Sequence, residues 1–517
     1  MKSLTTFALV MVAHMLLLTA LHAQNPQRQN PNRNSLQTNQ ADATSAATVP
    51  CSSPNGARFN REPRAHALPQ GSGVVDFLPN RLGPGDDLIV EVGSDSRPRL
   101  ASGDGYYVHR SSTADCSVQF EGGLPDFTFQ GNDVQGFGNT TVAADPARDA
   151  FFAADARLGQ TGGVGLFRAS VSTLLDPTAC PIGTHSAAQS TSCWTVTPPV
   201  LVFPVPGAFA GDVFSIAVDE RPTNAGTGAG NVYAVTEIAD NTVNSVSLVA
   251  CTNTLNCGPP VVISAGEDFQ SSSYLRVRPD GVITVNYVGS TASGLDIKFV
   301  TCTPAGAPNP PVCKAPTVVQ KLTGAAPNPL DSNLQPFLFP KHAIRAEAGG
   351  KFTTFLVYDN CKSSFGNPIE CLNAEVLLTT STDNGRTWST PVSVDTATGN
   401  HLASNIATDP VTGITQIVYY SSGGDPFQHE VQVFRNQINP GSSAPGTPQM
   451  VTQTLDPLDG TETTLIPNIS FLGAAARGTS ATVASRLYVS FTSSTVAGTY
   501  EGFSAPDLNN SITQVSF

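Results

Sequence analysis

The chain has 517 residues, of which only 13% are charged, against about 25% in an ordinary soluble domain, and it carries 45 Gly and 40 Pro. That mixture excludes a coiled coil and disfavours long helices, while 40% hydrophobic residues exceed what a disordered chain has. The formal charge of -13, with no basic run, speaks against nucleic acid and anionic membrane surfaces as partners.

At the N-terminus Met1-Lys2 opens a short positive region, and 7–18 is an almost unbroken apolar run. The run is shorter than the ~20 residues needed to span a bilayer. Residues 1–23 therefore read as a secretory signal peptide, with no membrane span left after cleavage near Ala23. Residues 24–50, rich in Asn, Gln and Pro, read as a flexible linker, which leaves 51–517 as the folded part.

Ten cysteines fit export: Cys51, Cys116, Cys180, Cys193, Cys251, Cys257, Cys302, Cys313, Cys361 and Cys371. Eight fall in neighbouring couples, 180/193, 251/257, 302/313 and 361/371, which predict disulfides closing short loops. Cys51 and Cys116 remain as the last couple. No couple has the CxxC spacing of a zinc site.

Internal repetition is the most informative feature. A strand-like run ending in a Pro or Gly turn recurs at Pro69, Pro146, Pro222, Pro279, Gly349, Pro410 and Gly473, at spacings of 57 to 77 residues. A second apolar run follows each turn, at 88–92, 150–154, 232–235, 282–287, 352–358, 416–420 and 487–491. A third run alternates with period two, as at 106–110, 164–168, 245–248, 296–300, 375–378 and 430–434. A fourth opens with Pro199, Pro260, Pro316, Pro391 or Pro448, which suits the start of an edge strand. Four strands per unit, repeated seven times, predict an all-β chain forming a single β-propeller of about seven four-stranded blades. If the first and last segments share a blade, the number is six.

Between the third and fourth runs of the fifth unit stands Ser381-Thr382-Asp383-Asn384-Gly385-Arg386-Thr387-Trp388. Asp383 is placed to accept backbone N–H groups across the turn, Gly385 to take positive φ, and Trp388 to bury between blades. Ser111-Ser112-Thr113-Ala114-Asp115 is a degenerate copy, and Trp194 precedes a fourth strand as Trp388 does. The full motif, S-x-D-x-G-x-T-W, is the Asp box, and by it the chain resembles the sialidase-like (BNR repeat) propellers.

The resemblance implies fold more than activity, because the box sits at the blade periphery. A sialidase-like site would add three Arg clamping a substrate carboxylate, a Tyr nucleophile assisted by Glu, and an Asp acid/base. The first-strand arginines Arg64, Arg276 and Arg345 are the candidates for that clamp; no catalytic residue is assigned. Tyr500-Glu501, the only adjacent Tyr-Glu couple of the last units, falls on a predicted third strand, while Asp145, Asp219 and Asp409 fall where a carboxylate caps a turn. No cofactor or metal ligand set is evident, although calcium on loop carboxylates is compatible with such a fold. The expectation is a secreted, monomeric propeller that binds a glycan or another extracellular ligand at the channel mouth. The alternatives are an exo-acting glycoside hydrolase of sialidase type and a non-catalytic scaffold or adhesion module for protein partners.

Overall fold

The computed structural model describes residues 60–61, 70–95, 104–111, 118–125, 127–129, 132–136, 140–158, 163–176, 178–180, 193–196, 201–202, 209–210, 215–239, 244–264, 269–291, 294–322, 339–365, 370–422, 432–452, 472–478, 485–500 and 503–517. The signal-peptide and linker expectations, Arg64, Cys51 and Cys116 lie outside these residues.

Seven small antiparallel sheets, taken in chain order, form the seven blades of a β-propeller. Their innermost strands are Gln70–Gly83, Thr141–Asp145, Ser215–Val218, Phe269–Val277, Lys341–Glu347, His401–Thr408 and Gly473–Arg477. Small side chains recur on them (Ala143, Ala217, Ala343, Ala407 and Ala474 to Ala476), because seven strands converging on one axis leave little room for bulk.

Each blade is buried on both faces, and period-two alternation hands successive residues to opposite neighbours. Phe151 and Ala153 of blade 2 join the cluster shared with blade 1, whereas Phe152 and Ala154 join the one shared with blade 3. Seven such clusters fill the seven gaps between blades. This double burial is the physical cause of the low charge.

The first and seventh units differ from the repeat read in the sequence. Of the run expected before Pro69 only Arg61 is described, and Asn60–Arg61 pairs with Phe503–Ser516 as the outermost strand of blade 7. Blade 1 instead starts with Gln70–Gly83, whose Val74-Val75-Asp76-Phe77-Leu78 run ends at Pro79. In blade 7 the inner strand is Gly473–Arg477, not the run that ends at Gly473. The two ends of the chain thus share one blade, yet the blades number seven, because this sharing completes a sheet instead of removing one.

Three predicted disulfides are formed: Cys180–Cys193, Cys251–Cys257 and Cys302–Cys313. All three lie between the third and fourth strands of their blades, and Cys302 faces Cys313 directly across the ladder. Cys361, on the second strand of blade 5, is disulfide-bonded as well. No helix of the described residues is long and apolar enough to cross a membrane.

Candidate functional site in the central channel

The inner strands enclose a cavity of about 410 Å³ on the propeller axis, and all seven blades contribute to its wall. Apolar patches come from Val75, Val142, Ile216 and the alanines; polar groups come from Thr140, Thr141, Ser215, Ser273 and Asn405. The charged residues of the wall decide its chemistry.

Arg477 ends the inner strand of blade 7 and reaches two carboxylates from other blades. Its Nη2 lies 3.1 Å from Asp76 Oδ2 of blade 1, and its Nη1 lies 2.7 Å from Glu220 Oε2 of blade 3. Burial alone would lower the Arg477 pKa, but Asp76 and Glu220 outweigh it and raise it. Asp76 is further fixed by the Ala144 N–H at 2.8 Å. Arg221 is likewise neutralised by Asp219 at 2.7 Å, and Arg278 by Asp280.

Two cations of the wall have no carboxylate within ion-pair distance among the described residues. Arg276 lies over the Tyr274 ring, 4.5 Å from its centroid, and donates to the Tyr274 hydroxyl. Burial raises the Tyr274 pKa, with Asp76 acting the same way and Arg276 opposing. Lys341, the first residue of its strand, donates from Nζ to the Leu472 carbonyl at 3.2 Å. Its burial brings the ammonium pKa down to about 7, with Asp359 opposing and Arg276 assisting. Next to it, His342 turns away between blades 4 and 5, its ring nitrogens 2.5 Å from Asn286 Oδ1 and 2.8 Å from Thr284 Oγ1. Burial, with the Arg276 charge adding to it, holds its pKa well below the usual range, so His342 is a neutral structural residue.

Of the two clamp candidates within the described residues, Arg276 lines the channel and Arg345 does not. Arg345 is buried between blades 5 and 6, where it binds Glu347 Oε1 at 2.7 Å and the Asn439 and Ser442 carbonyls. Ala343 and Ile344 contribute to the wall, whereas Arg345, on the same strand face as Ala343, is held by the neighbouring blade 6. Tyr500 ends the second strand of blade 7, Arg486–Tyr500, not a third strand, and pairs there with Phe503. Asp145, Asp219 and Asp409 do cap turns, accepting from Ala147, Arg221 and Val411 N–H groups respectively. Among the described residues no three His, Cys, Asp or Glu side chains converge as a metal site.

The S381–W388 connection is a self-contained turn on the outer side of blade 5. Asp383 Oδ1 accepts the Arg386 and Thr387 N–H groups at 3.0 and 2.9 Å, and its Oδ2 accepts the Thr387 hydroxyl at 2.6 Å. Ser381 Oγ accepts the Gly385 N–H at 2.9 Å, and Gly385 has φ of 79°. Trp388 packs edge-on against Phe299 of blade 4, with centroids 5.2 Å apart. It is half-buried, less than the sequence motif suggests, because the turn faces outward. None of these residues reaches the channel wall.

Sequence reasoning missed Asp76, Glu220, Tyr274, Lys341 and Arg477 as wall residues. Only Asp76 carried a usable signal, a lone charge inside an apolar run that ends in Pro.

No family model matches the chain, and no curated protein is similar to it. Among solved structures it is similar to an α-L-arabinanase of Penicillium chrysogenum complexed with arabinobiose, at 12% identity over 72% of this chain and 94% of that one, TM-score 0.41. It is similar to a polysaccharide lyase, an ulvan lyase, at 8% identity over 88% and 96% of the two chains, TM-score 0.43. An α-L-arabinofuranosidase of Fusarium graminearum gives 10% identity over 75% and 98%, TM-score 0.40. These likenesses are distant, and the channel's own chemistry decides what it fits.

Proposed function

We propose that the protein is an exported β-propeller that binds a glycan or a related extracellular ligand in its central channel, and that the ligand carries an anionic group received by Arg276. The observation that supports this is the Arg276 guanidinium, ordered on Tyr274 in a cavity wall and without a carboxylate of its own among the described residues. A guanidinium fork so placed matches a carboxylate or sulfate. Thr, Ser and Asn side chains around it suit hydroxyl groups, and a cavity of about 410 Å³ suits a sugar unit or two.

The exo-sialidase reading needs further free arginines beside Arg276. Arg221, Arg278 and Arg477 are each held by carboxylates, and Arg345 is spent between blades. The carboxylates Asp76 and Glu220 are in turn engaged by Arg477, which leaves neither poised as a general acid. Binding without hydrolysis is therefore the better-supported reading.

Calorimetric titration of the mature chain with matched anionic and neutral oligosaccharides tests it. Anionic ligands should bind more tightly, and Arg276→Ala should weaken them about tenfold or more while sparing the neutral series. Equal affinity for both series would overturn the role given to Arg276. A fluorogenic sialoside should remain uncleaved; turnover abolished by Arg276→Ala would restore the hydrolase.

A further inference from the structure

Lys341 is an unusual feature of this wall. The chain has seven lysines, Lys2, Lys298, Lys314, Lys321, Lys341, Lys351 and Lys362. Lys314, Lys321 and Lys351 are exposed, as ammonium groups normally are, and Lys298 lies 3.7 Å from Asp296. Lys341, unlike Lys298, Lys314, Lys321 and Lys351, is buried, at 9% exposure, and it lines a cavity. Its amine has the Leu472 carbonyl as its hydrogen-bond acceptor, a group that also accepts from Asn405 Nδ2 at 2.5 Å. The carboxylate that acts on it electrostatically, Asp359, is engaged elsewhere, by Ala403 N–H at 2.6 Å and by Ser404 N–H and hydroxyl.

Resting on the reading of the channel as a ligand site, we propose that Lys341 and Arg276 together form a carbonyl-trapping site for a 2-oxo carboxylate, sugar-derived or not. Arg276 receives the carboxylate, and Lys341 Nζ attacks the adjacent ketone carbon. The nitrogen lone pair forms the C–N bond, and the carbonyl oxygen takes a proton to give the carbinolamine. Loss of one water then leaves an imine, with nothing oxidised or reduced, and hydrolysis reverses the step. A desolvated lysine beside another cation is the ordinary way a protein makes an amine nucleophilic at neutral pH. Here burial is the main cause, and the Arg276 charge of blade 4 adds to it against Asp359 of blade 5. A 2-oxo carboxylate is the ligand class that places an anion and an electrophilic carbon on neighbouring atoms, which uses both unmatched cations of the wall.

The test is trapping of the full chain with pyruvate and sodium cyanoborohydride at neutral pH, followed by peptide mapping. Lys341 should be alkylated about tenfold faster than exposed Lys314, Lys321 and Lys351. Acetaldehyde, which lacks the carboxylate, should label Lys341 more slowly than pyruvate. Excess acetate should slow pyruvate but not acetaldehyde, and Arg276→Met should slow pyruvate more than acetaldehyde, which loses only the help that the Arg276 charge gives the amine. Labelling spread over exposed lysines with Lys341 spared would overturn the proposal. So would acetate competition that affects both reagents alike. The oligosaccharide titration reads a different property, so failure of trapping with binding retained removes only the lysine chemistry.

Discussion

At the residue scale, the turn around Asp383 shows how a short motif holds itself together and how far its effects reach. Desolvation works against the ionised carboxylate, but bonds from Thr387, Ser381 and Arg386 outweigh it and hold the Asp383 pKa down to about 2. A depressed carboxylate stabilises the fold above its unfolded pKa of about 4, and that contribution is lost as pH falls towards 2. The group is half-buried at the surface, so solvent screens part of the effect. Asp383→Asn should therefore lower the melting temperature near neutrality and flatten its fall between about pH 4 and 2, as thermal melts from neutrality down to that range would read. Trp388, half-buried against Phe299, should cost about 2 kcal/mol on replacement by Ala, below the range for a fully buried Trp. Denaturant midpoints compared with the parent chain measure it, and a loss near zero would remove the ring from the packing between blades 4 and 5. Gly281 carries a different constraint: φ is +89°, and an added Cβ would stand 2.0 Å from Arg221 Nη2. Gly281→Ala should destabilise by about 1–3 kcal/mol, since both the backbone and the arginine resist the change.

At the element scale, strands with strong β-branched or aromatic patterns were legible, and those lacking them were not. The second strand of every blade stood out, because runs such as 352–358 and 416–420 are apolar on both faces. The inner strand of blade 7 was missed because Gly473–Arg477 is Gly-Ala-Ala-Ala-Arg, a composition with low strand propensity that suits the crowding at the axis. The outermost strand of that blade was missed for another reason: Asn60–Arg61 is two residues long and pairs with the other end of the chain. Ring closure by Asn60↔Ile512 and Arg61↔Ser511 gives a direct expectation. Removing residues 1–61 should lower the melting temperature by about 2–4 °C relative to removing 1–50, through loss of a few ladder bonds and a newly open strand edge. Equal melting of the two shortened chains would show that closure rests on the blade clusters alone.

At the scale of the whole molecule, the clamp candidate Arg345 belongs with several other arginines to a ring of cross-blade contacts. Arg81 of blade 1 donates to the Pro146 carbonyl of blade 2 at 2.6 Å, and Arg148 of blade 2 to the Arg221 carbonyl of blade 3 at 3.1 Å. Arg221 reaches the Asp280 carbonyl of blade 4 at 2.9 Å, and Arg278 reaches Asn384 Oδ1 of blade 5 at 2.6 Å. Arg345 spans to Ser442 of blade 6 at 2.7 Å, Asp409 accepts the Gly478 N–H of blade 7 at 2.8 Å, and Arg486 pairs with Asp87 of blade 1 at 2.6 Å. No sequence pattern announced the ring, because its links join groups 59 to 106 residues apart, or across the closure. Its energetic weight follows from burial. Asp219 is fully buried and is held by Arg221 Nε at 2.8 Å and Nη2 at 2.7 Å, so losing that arginine strands a carboxylate in the protein interior. Arg221→Met should therefore cost about 3–5 kcal/mol, whereas exposed Arg386→Met should cost less than about 0.5 kcal/mol. Replacing Asp219 as well, by Asn in the Arg221→Met background, should recover part of the loss, because the uncompensated charge is what the single change leaves behind. Urea unfolding of the three variants separates the contributions: a double variant no more stable than Arg221→Met would mean that the cross-blade bond to Asp280, and not the stranded carboxylate, carries the cost.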